Sequence, residues 1–496
     1  MASYKHLFSI ITIIFLFMYS TPTRGSQVAL SKSRGALSNQ IDKISSVQHL
    51  LANLSKIYTK NKSLSVCSEV VNAGNRLLSS VHRRMKGVAR YDSDASLSLQ
   101  TMYSAATTYL RTCGRILKEA KKHNKAKQFG SLRRHLDDIG NNCFLESYTL
   151  RAISRATVPR KKPKQESPFH KIHYARDIPR TLRRIPKDRR IVVAQDGTGH
   201  FSTISAAIAA APAGATDYFL IIIKAGRYNE KVVVPIEKPF LVLAGAGKGA
   251  TIITGSRSYA LGYNTWDSAT VEIYGHNFIG YNIGFENSAG PQGGQAVAVL
   301  CSSNLSAFYK CGFYGFQDTL YAHAWLQFYR ECDIYGTIDF ILGDASAVFQ
   351  SCNIVVRPPL LGQSNPIVAQ QRECPTGRTG FTIQNCVISP APGFPINTKT
   401  YLGRPWGKST RVAFISNQFN VMIDPVGWLP WYGIPTQVYL GEFNNTGSGA
   451  DMAGRVTWPG IKRLTQPEAY NLTVDAMLGG GSWLDRTRVP YVKGLF

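Results

Sequence analysis

A short pattern returns along the second half of the chain: apolar residues, then Cys or Asn, one residue, then Ile or Phe. It stands at Phe308-Tyr309-Lys310-Cys311-Gly312-Phe313. It returns at Cys332-Asp333-Ile334, Cys352-Asn353-Ile354, Cys386-Val387-Ile388 and Asn417-Gln418-Phe419. The first two intervals are 21 and 20 residues, and the later ones are longer, as loop insertions make them. A repeat of this length built from short strands predicts a parallel β-helix. Each rung of such a coil buries its inner face only by stacking on the next. Inward Cys, Asn, Ile and Phe then line up in ladders. A β-sandwich is the alternative, but its strands need no in-register repeat. Further β-rich runs at 219–224, 231–234, 240–243 and 269–274 lie between Gly, Asn and Pro. Residues 203–211 read as a short helix capping the N-terminal end of the coil and shielding its open edge.

Before Arg190 the texture differs. Residues 40–156 carry apolar positions at three- and four-residue spacing, as in Val66, Val70, Ala73, Leu77, Leu78 and Val81. A second such stretch covers 97–117, and no Pro intervenes before Pro159. This predicts a small helical bundle. Residues 118–127 are a charge run, read as a solvated face. Residues 159–190 form a linker rich in Pro, Lys and Arg. Its pairs Arg183-Arg184 and Arg189-Arg190 are candidate processing sites, with an uncleaved solvated linker as the alternative.

Charge divides the chain at the same place. The net charge is +27 from 57 basic and 30 acidic residues. From Arg190 onward there are 22 basic and 19 acidic residues, which leaves 35 and 11 before it. The basic segment favours acidic polymers in general, and the almost neutral remainder argues against a nucleic-acid reading. At the N-terminus Lys5 and His6 precede an apolar run over 7–19, with small residues at Gly25 and Ser26. That is the pattern of a secretory signal peptide, too short for a comfortable membrane span, with a retained anchor as the alternative. Secretion permits disulfides, and nine cysteines leave at least one without an intramolecular partner. Sequons at Asn53, Asn61, Asn304, Asn444 and Asn471 fit the same route. The expected division is a signal peptide at 1–25, a helical pro-region at 26–158, a basic linker at 159–190 and the β-helix at 191–496.

The residues with chemistry are polar groups in apolar, aromatic surroundings. Gln317-Asp318-Thr319-Leu320-Tyr321 follows Phe313-Tyr314-Gly315-Phe316, and Asp339 stands between Ile338 and Phe340. A carboxylate there is costly unless it is partnered. The two aspartates are 21 residues apart, matching the repeat, so a coil stacks them on neighbouring rungs of one face. Two close carboxylates split their pKa values, which supplies one nucleophile and one general acid. Gln295 lies 23 residues before Asp318 and can join that face. In Leu402-Gly403-Arg404-Pro405-Trp406, Arg404 can pair with a carboxylate and hold it ionised, and Trp406 can stack on a sugar ring. Scattered histidines, with no Cys-x-x-Cys and no His-Glu-x-x-His, call for no metal and no organic cofactor. The absence of Gly-x-Ser-x-Gly argues against an α/β serine hydrolase. Gly245-Ala246-Gly247-Lys248-Gly249 lacks phosphate-loop spacing and reads as a turn.

These motifs together resemble the plant pectin methylesterases (pectinesterases) over about 191–496. The resemblance rests on Gly226-Arg227-Tyr228-Asn229-Glu230, Gly294-Gln295-Ala296-Val297-Ala298, Gln317-Asp318-Thr319-Leu320, Asp339-Phe340-Ile341-Leu342-Gly343 and Leu402-Gly403-Arg404-Pro405-Trp406. It implies a right-handed parallel β-helix, mainly β, preceded by a small α-helical pro-domain similar to pectinesterase inhibitors. It implies Asp339 as nucleophile, Asp318 as proton donor and general acid/base, and Gln317 as transition-state stabiliser. Thr265, Gln295, Arg404 and Trp406 would contact substrate. The sequence departs from the family at Leu342, where Phe is commoner, and at Val368-Ala369-Gln370-Gln371-Arg372, where Thr-Ala-Gln-Gly-Arg is usual. The pro-region carries Cys67, Cys113 and Cys143 where the family usually has four cysteines, and Cys67–Cys113 is the candidate inter-helix bridge. A Cys332–Cys352 disulfide is also implied, with Cys352–Cys386 as a competing pairing.

The implied function is hydrolysis of methyl esters of galacturonosyl residues in homogalacturonan, releasing methanol, by a secreted glycoprotein of the plant cell wall. Pectin is the implied partner, with intramolecular inhibition by the pro-region and separate inhibitor proteins as further interactions. The alternative is a non-catalytic wall-binding protein, or an inhibitor of other pectinesterases acting through its N-terminal region.

Overall fold

The computed structural model describes residues 24–57, 62–86, 91, 93–123, 132, 136, 149–154, 182 and 184–496. Residues 1–23 of the expected leader, Asn61, Cys143, Arg183 and most of the basic linker lie outside these. The chain forms two compact units, one of Met1–Cys113 with Ser131–Lys164, the other of Gly114–Gly130 with Gln165–Phe496.

The first unit contains the helices Arg24–Ile57 and Lys62–Met85 and most of Ser93–His123. Their periodic positions meet in one interior: Leu37, Ile44 and Leu51 from the first, Val70, Leu78 and Val81 from the second, and Tyr103, Ala106 and Leu110 from the third are all buried. Cys67 and Cys113 are disulfide-bonded, as the sequence proposed. Polar pairs also cross between helices: Gln48 Nε2 donates to Asn72 at 2.5 Å, and Asn75 Nδ2 donates to Gln48 at 2.7 Å.

The second unit is a coil of three parallel sheets with 11, 9 and 7 strands among the described residues. The strands Phe219–Ile223, Val232–Val234, Leu241–Gly245 and Val271–Ile273 stand where the β-rich runs predicted them. Seven rungs pass through all three sheets in the same order, and their strands pair in register with their counterparts one rung away. The corner into the 9-stranded sheet explains the sequence repeat. Lys310, Glu331, Ser351, Asn385 and Ser416 all adopt left-handed backbone with φ between 52° and 54°. The inward residue follows: Cys311, Cys332, Cys352, Cys386 and Asn417, each at most 1% exposed. Aromatic residues stack beside them, with Phe308, Tyr329 and Phe349 at ring separations of 4.9 and 4.5 Å.

The implied Cys332–Cys352 disulfide is not formed; both are free, buried thiols, as is Cys386. The physical reason lies in the ladder. In-register parallel strands about 4.8 Å apart point equivalent side chains the same way, whereas a disulfide needs the two Cβ atoms to converge. The thiols lie against one another along the ladder, Cys352 between Cys332 and Cys386, and they also meet backbone carbonyls: Cys332 donates to Phe308 and Arg330, and Cys352 to Tyr329 and Gln350.

The helix Ile204–Ala210 covers the first rung with buried Ile204, Ala207 and Ile208, and Thr203 accepts from the Ala206 amide as its N-cap. The stretch after Gly245 is a turn, with the Ala250 and Thr251 amides both donating to the Gly247 carbonyl. Short helices Gln466–Tyr470, Val474–Leu478 and Leu484–Thr487 near the C-terminus were not anticipated from the sequence.

Candidate active site

Asp318 and Asp339 occupy the same corner on neighbouring rungs, where the chain leaves the 9-stranded sheet and enters the 7-stranded one. Asp318 lies between Gly312–Tyr314 and Leu320–Ala322, and Asp339 between Asp333–Gly336 and Ile341–Gly343. Pairing of Leu320 with Ile341 keeps the 21-residue offset, so the two carboxylates stack. Both aspartates are left-handed, with φ of 62° and 52°. Such backbone is sparsely populated for non-glycine residues and concentrates at functional sites. Their amides are fixed to the following rung: Asp318 N donates to Ile338 at 3.0 Å and Asp339 N to Pro366 at 2.7 Å. Gly343 closes the motif, because a Cβ there would lie 2.0 Å from the Ala322 carbonyl oxygen and its φ is +126°.

Asp339 is 2% exposed and Asp318 6%. Arg404 Nε donates to both oxygens of Asp339, at 2.8 and 3.0 Å, and Nη2 donates to Oδ2 at 2.5 Å. Burial pushes the Asp339 carboxyl above its ordinary range, and the hydrogen bonds and charge of Arg404 push it back. Burial pulls the Arg404 guanidinium down, but Asp339, helped by Asp318, more than offsets this and raises it. Arg404 is therefore cationic throughout the working range and balances a carboxylate that burial alone would neutralise.

All seven residues proposed from the sequence line one cleft: Thr265, Gln295, Gln317, Asp318, Asp339, Arg404 and Trp406. Gln295 aligns beside Gln317 rather than against Asp318, since the Ala296 amide donates to the Gln317 carbonyl. The sequence missed Trp431, which also lines the cleft. Its ring lies 4.3 Å from the Arg404 guanidinium carbon and stacks on Trp406 at 5.9 Å. The available signal was an aromatic pair, Trp431-Tyr432, in a proline-flanked loop. Beneath the cleft, Tyr321 packs on Trp406, and Trp266 packs on Tyr321 and His323. His323 is wholly buried, pushed down to about 3 by burial, and its Nδ1 faces the Ser302 hydroxyl at 2.8 Å. It is a neutral packing group, not a general base.

The cleft thus combines two stacked carboxylates, one locked to an arginine, with amide donors and an aromatic wall. Residues 190–481 match the family model named Pectinesterase. The chain belongs to the pectinesterase family. It is therefore a carboxylic ester hydrolase acting on pectin methyl esters, which sets aside the non-catalytic alternative. Among pectinesterases, the "Probable pectinesterase/pectinesterase inhibitor 20" of Arabidopsis thaliana is 39% identical over 446 residues, covering 82% of this chain and 78% of that protein. "Pectinesterase 2" of Citrus sinensis is 40% identical over 402 residues, covering 80% and 76%. Among solved structures, a pectin methylesterase from carrot is 43% identical with a TM-score of 0.60, covering 62% of this chain and 98% of that one. The Aspergillus niger enzyme is 31% identical with a TM-score of 0.54.

Proposed function

We propose that Asp339 is the nucleophile of pectin demethylesterification and Asp318 its proton donor. The observation that carries this division is the bidentate Arg404, which donates to both oxygens of Asp339 and balances the charge a nucleophile needs. Asp339 attacks the C6 ester carbonyl, and the carbonyl π electrons move to its oxygen. Gln317, with Gln295 assisting, donates to that oxyanion. As the tetrahedral centre collapses, Asp318 gives its proton to the departing methoxy oxygen and methanol leaves. An acyl-enzyme anhydride on Asp339 remains. Asp318, now a carboxylate, takes a proton from water as the water oxygen attacks. Asp339 departs as a carboxylate and the galacturonate is free. Thr265 and Trp406 hold the sugar, Trp406 by stacking on its face.

The same reading covers the rest of the chain. Residues 1–25 are a signal peptide, 26–158 an inhibitor-like pro-region and 159–190 a linker open to processing, ahead of the catalytic segment 191–496. The protein is secreted to the plant cell wall. Pectin is its substrate, and its own pro-region and separate inhibitor proteins act on it. No helix among the described residues is long and apolar enough to cross a membrane. Of the sequons, Asn53, Asn444 and Asn471 are exposed, which favours them as glycan carriers. Asn304 is half-buried and accepts from the Leu326 amide through Oδ1.

Methanol release from highly esterified pectin tests the reading. Gln317→Ala should lower kcat by about 10²–10³ with little change in melting temperature, as loss of one oxyanion donor does. Unchanged kcat in a folded variant would remove Gln317 from the mechanism.

A further inference from the structure

The helical unit gathers positive charge at one end. The helix Lys62–Met85 closes with His82, Arg83 and Arg84 in its last turn, and Lys86 follows. Arg34 of the helix Arg24–Ile57 reaches the same end, where its Nη1 donates to the Met85 carbonyl at 3.4 Å. Arg76, Arg83, Arg84 and Lys86 are exposed and Arg34 is half-buried. Helical periodicity turns Arg76 and Arg83 to one face, opposite the buried Val71, Leu78, Val81 and Met85. His82 is pushed toward its neutral form by burial and by Lys86. Carboxylates are scarce at this end. Residues 24–41 and 70–86 contain no Asp or Glu, and the two helices carry only Asp42 and Glu69 just beyond those stretches. Asp42 is near enough to act on His82. None of the five cations forms an ion pair.

Helix capping does not account for so many cations. The C-terminus of a helix carries roughly half a negative charge, and Arg34 already meets it. The remaining charges face solvent together, and clustered cations of one sign attract a polyanion. The enzyme's own reaction makes one. Each hydrolysis turns a neutral ester into a carboxylate, so de-esterified homogalacturonan carries a negative charge on every sugar. Long, exposed Arg and Lys side chains suit such a polymer, because they can follow a flexible chain through many weak contacts. We propose that the end of the helical unit formed by Arg34, Arg76, Arg83, Arg84 and Lys86 is a binding surface for de-esterified homogalacturonan, which holds the protein to pectin already processed. None of these residues lines the catalytic cleft. The inference rests on the demethylesterification described above for the source of the polyanion, and adds a second place where the polymer is held.

The test measures binding of the full chain to polygalacturonate by titration calorimetry at low and rising salt. The wild type should bind, and salt should weaken the binding by screening. The double variant R83Q/R84Q should bind roughly tenfold more weakly, since each cation at an anionic surface is worth a few-fold. Its melting temperature and methanol release from short methyl-esterified oligogalacturonides should be unchanged. K56E removes the same two units of charge from an exposed site on the first helix. That site is about 33 Å from Arg34 at the helical rise per residue, several screening lengths away. K56E should keep the affinity within about twofold of the wild type, because a charge so distant is screened. Equal losses in the two variants would overturn the surface and leave only net charge. So would wild-type affinity in R83Q/R84Q. A loss confined to phosphatidylserine vesicles, with polygalacturonate binding intact, would overturn it in favour of a lipid surface. A wild-type protein that bound polygalacturonate but released no methanol would instead overturn the activity and leave the surface standing.

Discussion

The Asp339 side chain is 3% exposed and that of Arg404 29%, so the carboxylate has no water to carry its charge and the guanidinium carries it instead. Burial alone raises the Asp339 pKa, and Arg404 limits the rise. A nucleophile must be ionised, so activity is present above the folded pKa and is lost as pH falls through it. Removing Arg404 removes the lowering influence. Arg404→Ala should therefore move the acid limb of the kcat/KM profile to higher pH as well as reducing kcat. A limb that stayed in place would show that Arg404 does not set the charge of Asp339. Much at this scale was legible in the sequence. A carboxylate between Ile338 and Phe340 has to be partnered, and the Arg-Pro-Trp motif named the partner. Trp431 was not legible, because its contact with Arg404 depends on a long loop returning over the site. The charge balance on Asp339 depends on burial, which a motif does not report.

One element, the rung, carries most of the fold. Its sequence marks are the inward Cys or Asn and the aromatic stacked beside it. These were readable from Cys311 to Asn417 because left-handed corners fix one inward residue per turn. Earlier rungs use Ile283 in place of Cys after the left-handed Asn282, so the repeat fades there though the geometry persists. The expected disulfide failed for the reason that made the repeat visible, since equivalent side chains in register run parallel. The aromatic ladder should dominate coil stability. Phe349 is wholly buried against Tyr329 and Phe381. Phe349→Ala should cost about 3–5 kcal/mol in chemical denaturation, with turnover per folded molecule preserved. A loss below about 1 kcal/mol would mean that the stack relaxes around the gap.

Across the whole molecule, charge follows architecture. The basic excess sits before Arg190, and the coil is almost neutral, with buried ion pairs of its own. Near its C-terminal end Arg455 meets Glu442 at 2.8 Å, with both side chains at most 3% exposed. Burial raises the Glu442 pKa and Arg455 opposes it. A carboxyl raised on folding stabilises the protein below its unfolded pKa, and that contribution is lost as pH rises through the folded value. Arg455→Ala should cost about 3–5 kcal/mol near neutral pH and less below the ordinary glutamate pKa, where Glu442 is neutral in both states. Equal losses at both pH values would mean that packing, not charge, holds this pair. The coil's other consequence is catalytic: one rung of spacing sets the nucleophile beside its acid. Methanol release by Asp339→Asn on highly esterified pectin tests this most directly. Turnover should fall by at least about 10³-fold, in line with loss of an essential nucleophile, while the circular dichroism spectrum stays that of the wild type. A variant with the wild-type spectrum and wild-type turnover would contradict the assignment.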